Sequence, residues 1–272
     1  MKKFSALAFI LAIILILSAC GSSQDSSGDS KKGSSEPKKT LKVGTDASYA
    51  PFEYMDKGKI TGFDVDFLKA VMKEAGYKYN LVNVGWDPLF VELKNKTSDL
   101  GISAITINDE RKQTYDFSKA YFLSTNEILV PENSKIKSAA DLKGKRIAVQ
   151  SGTTGQEAVE KLIGKNNKNI KKFKQNTLAI QELIHGGADA VVADNTVVED
   201  YAKNNPNQKL KVIADKKAFA PEYYGLMFPK GSKLKPTFDK AIETLYDNGT
   251  YEKIYKKWFK VKPDVANLKA QK

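Results

Sequence analysis

Arg111 closes the run Thr106-Ile107-Asn108-Asp109-Glu110-Arg111 in a chain that writes nearly all its basic residues as lysine; Arg146 is the one other arginine. A guanidinium presents a planar fork that grips a carboxylate through two parallel hydrogen bonds, which lysine cannot reproduce. Other segments hold what a site for a small zwitterion would still need. Asp194, at the end of Ala190-Val191-Val192-Ala193-Asp194, would take an ammonium group. In Gln150-Ser151-Gly152-Thr153-Thr154-Gly155, backbone N–H groups of Thr153 and Thr154 would open a helix and complement the anion that Arg111 holds. Tyr49 and Trp86 would sandwich an aliphatic or guanidinium tail, with Asp46 at its end. The constellation suits a small zwitterion with a polar or cationic tail.

Each residue also has a purely structural reading. Asn108 would cap a helix, with Arg111 paired to Glu110 or another carboxylate, and Asp194 would cap the helix that follows it. Trp86 and Tyr49 would be core aromatics, although both stand in turns beside Gly85 or near Pro51. Arg146, after Lys143-Gly144-Lys145, reads as a solvated residue at the start of a strand. Asp64 and Asp66 lie two apart on a helix and point to opposite sides, so they form no catalytic pair; Asp64 is expected to cap its helix. Ser151-Gly152-Thr153-Thr154-Gly155 lacks the Gly-Lys-Ser/Thr of a phosphate loop. His185, the sole histidine, suits a helix C-terminus before Gly186-Gly187 and has no nucleophile to serve. With one Cys and one His the chain offers little for a metal centre, and no catalytic set is visible.

The elements that must position these residues alternate between short apolar strands and amphipathic helices. Strands are expected over 41–44, 79–84, 100–105, 147–149, 170–173, 190–193, 210–213 and 224–228, with extended chain over 117–130. Helices are expected over 63–75, 87–93, 154–163, 178–184, 196–203, 234–246 and 251–259. That alternation predicts an α/β fold with largely parallel sheets, in which ligands bind beyond the carboxyl ends of strands. The chemically interesting residues occupy those loops.

The formal charge of +12 over 272 residues first suggests a polyanion binder, but dispersed lysines describe a solvated surface, so no nucleic-acid partner is expected. Met1-Lys2-Lys3 and the apolar run from Phe4 to Leu17 read as a secretory signal too short to span a bilayer comfortably. Leu17-Ser18-Ala19-Cys20 resembles the lipobox of bacterial lipoproteins, in which cleavage leaves a lipid-modified cysteine; removal of residues 1–19 takes Lys2 and Lys3 with it. Residues 21–39 carry no apolar side chain and read as a flexible tether with a root-mean-square reach of roughly 25 Å. The expected location is therefore the extracytoplasmic face of the cell membrane, held by Cys20.

Several segments together resemble one family. Val43-Gly44-Thr45-Asp46-Ala47-Ser48-Tyr49-Ala50-Pro51-Phe52-Glu53, Gly62-Phe63-Asp64-Val65-Asp66, Ile105 to Arg111, Asp141-Leu142-Lys143-Gly144-Lys145 and Gly249-Thr250-Tyr251 are similar, in order and spacing, to the polar-amino-acid-binding proteins of ABC importers. The resemblance runs from about Thr40 to Phe259. It implies a two-lobed, type II periplasmic-binding-protein-like α/β fold, each lobe a sheet flanked by helices, closing over its ligand. Lobe one would comprise 40–122 and 224–259, lobe two 125–221, with two crossings between them and a tail over 260–272. Arg111 would hold the α-carboxylate and Asp194 the α-ammonium, assisted by the Thr106 hydroxyl and the Thr153 or Thr154 N–H groups. Ser103 and Ala104 would line the site mainly through backbone, and Asp46, Tyr49, Trp86 and Gln150 would meet the ligand side chain. The implied ligand is arginine, lysine or histidine, with glutamine as the alternative. The implied partners are a membrane permease and its ATPase; the protein would act as a monomer without a cofactor. A dehydratase on the same fold is the remote alternative.

Overall fold

Residues 39–271 are described by the computed structural model; the signal segment, Cys20 and all of the tether but Lys39 lie outside the described residues. Among them the chain builds two five-stranded sheets, one in each lobe, with helices packed on them. The first sheet has the order Tyr79–Asn83, Leu41–Thr45, Leu100–Gly101, Met227–Pro229, Tyr115–Phe117. The second has the order Ile170–Phe173, Ile147–Gln150, Ala190–Asp194, Asn126–Pro131, Leu210–Ile213. In each sheet the fourth strand runs antiparallel to both its neighbours. The sheets are thus mixed rather than purely parallel, and the reason is topological. Each reversed strand is the one the chain enters straight after crossing from the other lobe. The crossings themselves, Phe122–Ser124 and Glu222–Tyr224, pair as a two-stranded antiparallel ribbon.

Helix Phe63–Ala75 shows how local sequence sets these elements. Phe63, Phe67, Leu68, Val71, Met72 and Ala75 recur at helical spacing and are buried as one stripe. Gly76 stops the helix in the left-handed region, returning its N–H to the Met72 and Lys73 carbonyls. At the other end Gly62 holds φ at 139°, and a Cβ there would lie 1.9 Å from the Phe52 carbonyl oxygen. The stripe packs into an aromatic core in which Phe67 and Tyr121 stack at 4.6 Å and Phe52 meets Phe122 edge-on at 4.8 Å. In the second lobe alternate residues along the strands fill opposite faces. Ile128, Val130, Ile147 and Val149 pack on one side, and Leu129, Ala148 and Val191 on the other.

Asp64 departs from its expected role. The helix is capped at Gly62 without any side-chain bond, and Asp64 is instead fully buried. Its Oδ2 accepts the Ala104 N–H at 2.9 Å and the Tyr121 hydroxyl at 2.8 Å. This also explains why the strand expected over 100–105 ends at Gly101: the chain turns so that Ala104 reaches Asp64, with Ala104 itself left-handed at φ 46°. Further elements escape the sequence reading, among them two short 3-10 helices, Ala139–Leu142 and Pro206–Gln208; three others bear on the fold. They are a hairpin-like sheet of Ser48–Tyr49, Glu53–Asp56 and Lys59–Thr61, a split of the 224–228 segment into two short strands, and helix Val265–Ala270, which buries Leu268 in the tail.

Beside Asp64 lies Glu53, also fully buried, with Oε1 accepting the Ser103 hydroxyl at 2.8 Å. Glu53 Oε2 and Asp64 Oδ1 are left without an ordinary donor among the described residues. Two adjacent buried carboxylates cannot both ionise, so they share a proton. Burial, then the charge of Asp64, pushes Glu53 well above the usual carboxylate range; burial pushes Asp64 up to about 6 against the bonds it accepts. Glu53 thus keeps the proton and directs it at Asp64. A raised acid contributes stability that is present below its unfolded value near 4.5 and is lost as pH rises toward its folded value. Glu53→Gln, which keeps a donor but cannot titrate, should flatten the fall in stability as pH rises above about 5. The slope should shrink by up to about 1.4 kcal/mol per pH unit. Parallel curves for the two proteins would show that no proton is shared there.

Candidate functional site

The eleven residues singled out in the sequence as ligand-binding come together around one cavity. They arrive from the carboxyl ends of strands in both sheets and from the loops beyond them. Asp46 follows Leu41–Thr45, Gln150 and Asp194 close Ile147–Gln150 and Ala190–Asp194, and Ser103, Ala104 and Thr106 follow Leu100–Gly101. Thr153 and Thr154 begin helix Thr154–Ile163, whose first-turn N–H groups have no partner within the helix.

Arg111 is buried, on helix Asp109–Thr114, where Asn108 caps the helix by accepting the Arg111 N–H at 2.8 Å. The cap is therefore real, but its guanidinium forms no pair with Glu110. Nη1 donates to the Thr106 carbonyl at 2.9 Å and Nη2 to the Gly152 carbonyl at 3.2 Å. Its central carbon sits 5.5 Å from the Trp86 ring centre and 5.3 Å from that of Phe90. Burial lowers its pKa, opposed by the charges of Glu157, Glu222 and Asp194. Trp86 sends its indole N–H to the same Gly152 carbonyl at 3.3 Å and leans edge-on against Phe90. Gly152 thereby gathers two contacts from the opposite lobe.

Asp194 stands at the N-cap of helix Asn195–Asn204 but caps nothing with its side chain. Its Oδ2 accepts the Tyr224 hydroxyl at 2.6 Å and the Tyr49 hydroxyl at 2.9 Å. Burial pushes Asp194 up to about 7, with the charge of Glu222 adding to it, while the two tyrosines and Arg111 pull the other way. Tyr49 thus holds Asp194 across the lobes besides facing the cavity. Asp46 is also buried: its Oδ1 accepts Ser48 at 2.9 Å, and its Oδ2 accepts the Gln150 side-chain amide at 3.1 Å. Burial raises its pKa first, and the charge of Asp87 adds to that; the bonds from Ser48 and Gln150 oppose it. Ser103 Oγ receives the Asp46 N–H at 3.0 Å and passes its own proton to Glu53. The floor of the cavity is thereby tied to the buried acid pair.

Three residues of the site's surround went unread in the sequence. Phe90 backs Arg111 one helical turn after Trp86, a spacing that could have revealed it. Glu222 accepts Thr106 and Thr154, and Asn126 donates to Glu222; both arise from the crossing and the strand that follows it, where no local pattern marks a function. Arg146 is exposed as expected, although it forms an ion pair with Asp189 at 2.7 Å. His185 ends helix Asn176–Ile184.

Residues 41–261 match the family model of bacterial extracellular solute-binding proteins, family 3. A solved structure of the arginine-, lysine-, histidine-binding protein ArtJ from Geobacillus stearothermophilus is 58% identical with a TM-score of 0.84, covering 85% of this chain and all 100% of that one. Two curated relatives are similar over 95% of the chain. A probable histidine-binding protein of Neisseria gonorrhoeae is 38% identical with 96% of its length covered, and the arginine-binding extracellular protein ArtP of Bacillus subtilis (strain 168) is 37% identical with 98% covered. With two mixed sheets facing one charged cavity and a family match over nearly all its described length, the chain belongs to the bacterial extracellular solute-binding proteins of family 3.

Proposed function

We propose that the protein captures a basic amino acid, arginine, lysine or histidine, between its lobes and delivers it to the permease and ATPase of an ABC importer. In this reading Cys20 carries the lipid that holds it on the outer face of the membrane. The observation that carries the ligand class is a charge balance. Three side chains able to bear a full charge once the ligand is bound line the cavity, Arg111, Asp46 and Asp194. Arg111 matches an α-carboxylate and Asp194 an α-ammonium, which leaves Asp46 for a third, positive charge on the ligand tail. Buried charges are stable only when paired, so a cationic tail complements the set where a neutral one leaves it a charge short. Relatives named for arginine, lysine and histidine support the same reading. Glutamine stands second on a specific observation: the Gln150 carboxamide already donates to Asp46, and a glutamine ligand would make the same kind of contact.

A thermal-shift panel of the twenty amino acids tests the class. Arginine, lysine or histidine should raise the midpoint, a ligand at 100 times its Kd adding about 2.7 kcal/mol. Asp46→Asn should weaken basic ligands by about 1.5–3 kcal/mol while sparing glutamine, since it removes a charge and keeps an acceptor. A shift with glutamine alone would reverse the order of the two readings.

The clamp is tested by Arg111→Lys, which keeps the charge and loses the fork. Calorimetry should show affinity reduced by at least about 2 kcal/mol for every amino acid that binds. Retained affinity would remove Arg111 from the carboxylate.

Binding should also depend on pH through Asp194. Free, it keeps a proton up to about 7; an ammonium group beside it favours the ionised form and expels that proton. Affinity should therefore rise with pH, approaching tenfold per unit between 5.5 and 7, and level off above. Asp194→Asn should flatten the profile, whereas an unchanged pH dependence in that variant assigns the proton elsewhere.

A further inference from the structure

One corner of the cavity has a donor polarity set from outside it. The Thr106 hydroxyl donates to Glu222 Oε2 at 2.8 Å, and the Thr154 hydroxyl donates to the same oxygen at 2.7 Å. Asn126 fills the other oxygen, donating through Nδ2 to Oε1 at 2.8 Å. Thr106 and Thr154 line the ligand cavity; Glu222 does not, and lines with the same two threonines a separate groove. The arrangement is rigidly placed. Thr106 is bridged to Tyr224, the Ile107 N–H reaches the Tyr223 carbonyl at 2.7 Å, and Glu222 is in register with Ser124 on the crossing ribbon. Thr154 comes from the opposite lobe as the first residue of its helix.

A hydroxyl has one proton to give and two lone pairs, and a carboxylate has none to give. With both protons committed to Glu222, Thr106 and Thr154 can offer the cavity only lone pairs. Asp194 stands in the same cavity and is likewise an acceptor once ionised. Three acceptors lining one cavity match the three N–H donors of an alkylammonium, and they repel a carboxylate.

We propose that Glu222 is a positioning residue that selects for a free α-ammonium without touching it, by accepting the protons of Thr106 and Thr154 and so turning both hydroxyls into acceptors toward the ligand. The assignment rests on the amino-acid reading of the site, and it deepens that reading by specifying the ligand class. Amino acids with an unmodified α-amino group are accepted; deaminated or N-acylated analogues, which bring fewer donors or none to this corner, are discriminated against.

Glu222→Gln supplies an amide in place of one acceptor oxygen; with that amide toward the threonines its N–H groups donate to both hydroxyls and free their protons to turn inward. The measurement is the ratio of affinities for arginine and for 5-guanidinopentanoate, the same molecule without its α-amino group, by calorimetry on the purified protein. The ratio should fall about tenfold in Glu222→Gln, with the loss on the arginine side. Thr154→Val should lower it in the same way, Thr154→Ser should keep the wild-type ratio, and the Glu222→Gln, Thr154→Val pair should be less than additive. Thr154→Val leaves Glu222 and the crossing ribbon intact, so it carries the test if the Glu222 variant does not fold. If both ligands weaken together and the ratio stays at its wild-type value, Glu222 serves only the junction of the lobes and the proposal is overturned. If the wild-type protein binds no basic amino acid, lysine and histidine included, the ligand reading itself fails first. In that case the same ratio is measured with glutamine and 4-carbamoylbutanoate, and an unchanged ratio there also overturns the role of Glu222.

Discussion

Arg111, Asp46 and Asp194 are all taken out of water in one cavity, and most of the surrounding structure is what makes that tolerable. An ion moved from water into a protein interior costs several kcal/mol even after relaxation, unless partners replace its hydration. Arg111 recovers hydration from two carbonyls and two aromatic faces, Asp194 from two tyrosine hydroxyls, and Asp46 from a serine and a glutamine amide. None of these partner sets comes from a single element. Gly152, Tyr49 and Gln150 each reach a charge on the opposite lobe. Solvating the charges and holding the lobes together are therefore one problem with one set of bonds.

That identity explains how such a protein converts binding into shape. A ligand shifts an equilibrium between arrangements only by the difference in its affinity for them. Here the charges on the two lobes can be matched simultaneously only when the lobes face each other, so a zwitterion that satisfies Arg111 and Asp194 favours closure through the same interactions that bind it. The crossing ribbon of Phe122–Ser124 and Glu222–Tyr224 sits at the junction, and two of its residues act directly on the site. Tyr224 holds Asp194 and Glu222 holds the two threonines. The ribbon is thereby bonded directly to three residues that line the cavity, without any intermediate element.

Much of this was legible in the sequence where local rules suffice. Helices 63–75 and 154–163 end where glycine or a capping threonine makes them end, and Arg111 stood out because lysine cannot replace a fork. What failed was whatever depends on a partner distant in sequence. Asp64 reads as a helix cap because the helix start is local, whereas Ala104 and Tyr121, which it actually holds, are 40 and 57 residues away. Glu222 carries no signature at all, since its meaning arises only when Thr106 and Thr154, 116 and 68 residues distant, converge on it. The reversed strands Asn126–Pro131 and Met227–Pro229 are a third case: periodicity marks a strand but not the direction from which the chain enters the sheet.

A further tension lies between the whole molecule and its cavity. The sequence carries a formal charge of +12, yet the ligand argued for is itself cationic. At physiological ionic strength charges are screened over about 8 Å, so lysines dispersed across the surface contribute little at the bottom of a cleft. Near the site the balance reverses. Asp46 and Asp194 line it, Asp87, Glu110, Glu157 and Glu160 line the adjoining groove by Trp86, and Glu222 backs the threonines, against Arg111, Lys161 and Lys165. The cationic ligand therefore meets a repulsive field only at distances where water and salt remove it, and an attractive one where the protein has excluded both. Net charge describes the surface as a whole, whereas the carboxylates that line the cavity and its adjoining groove set the local balance around Arg111.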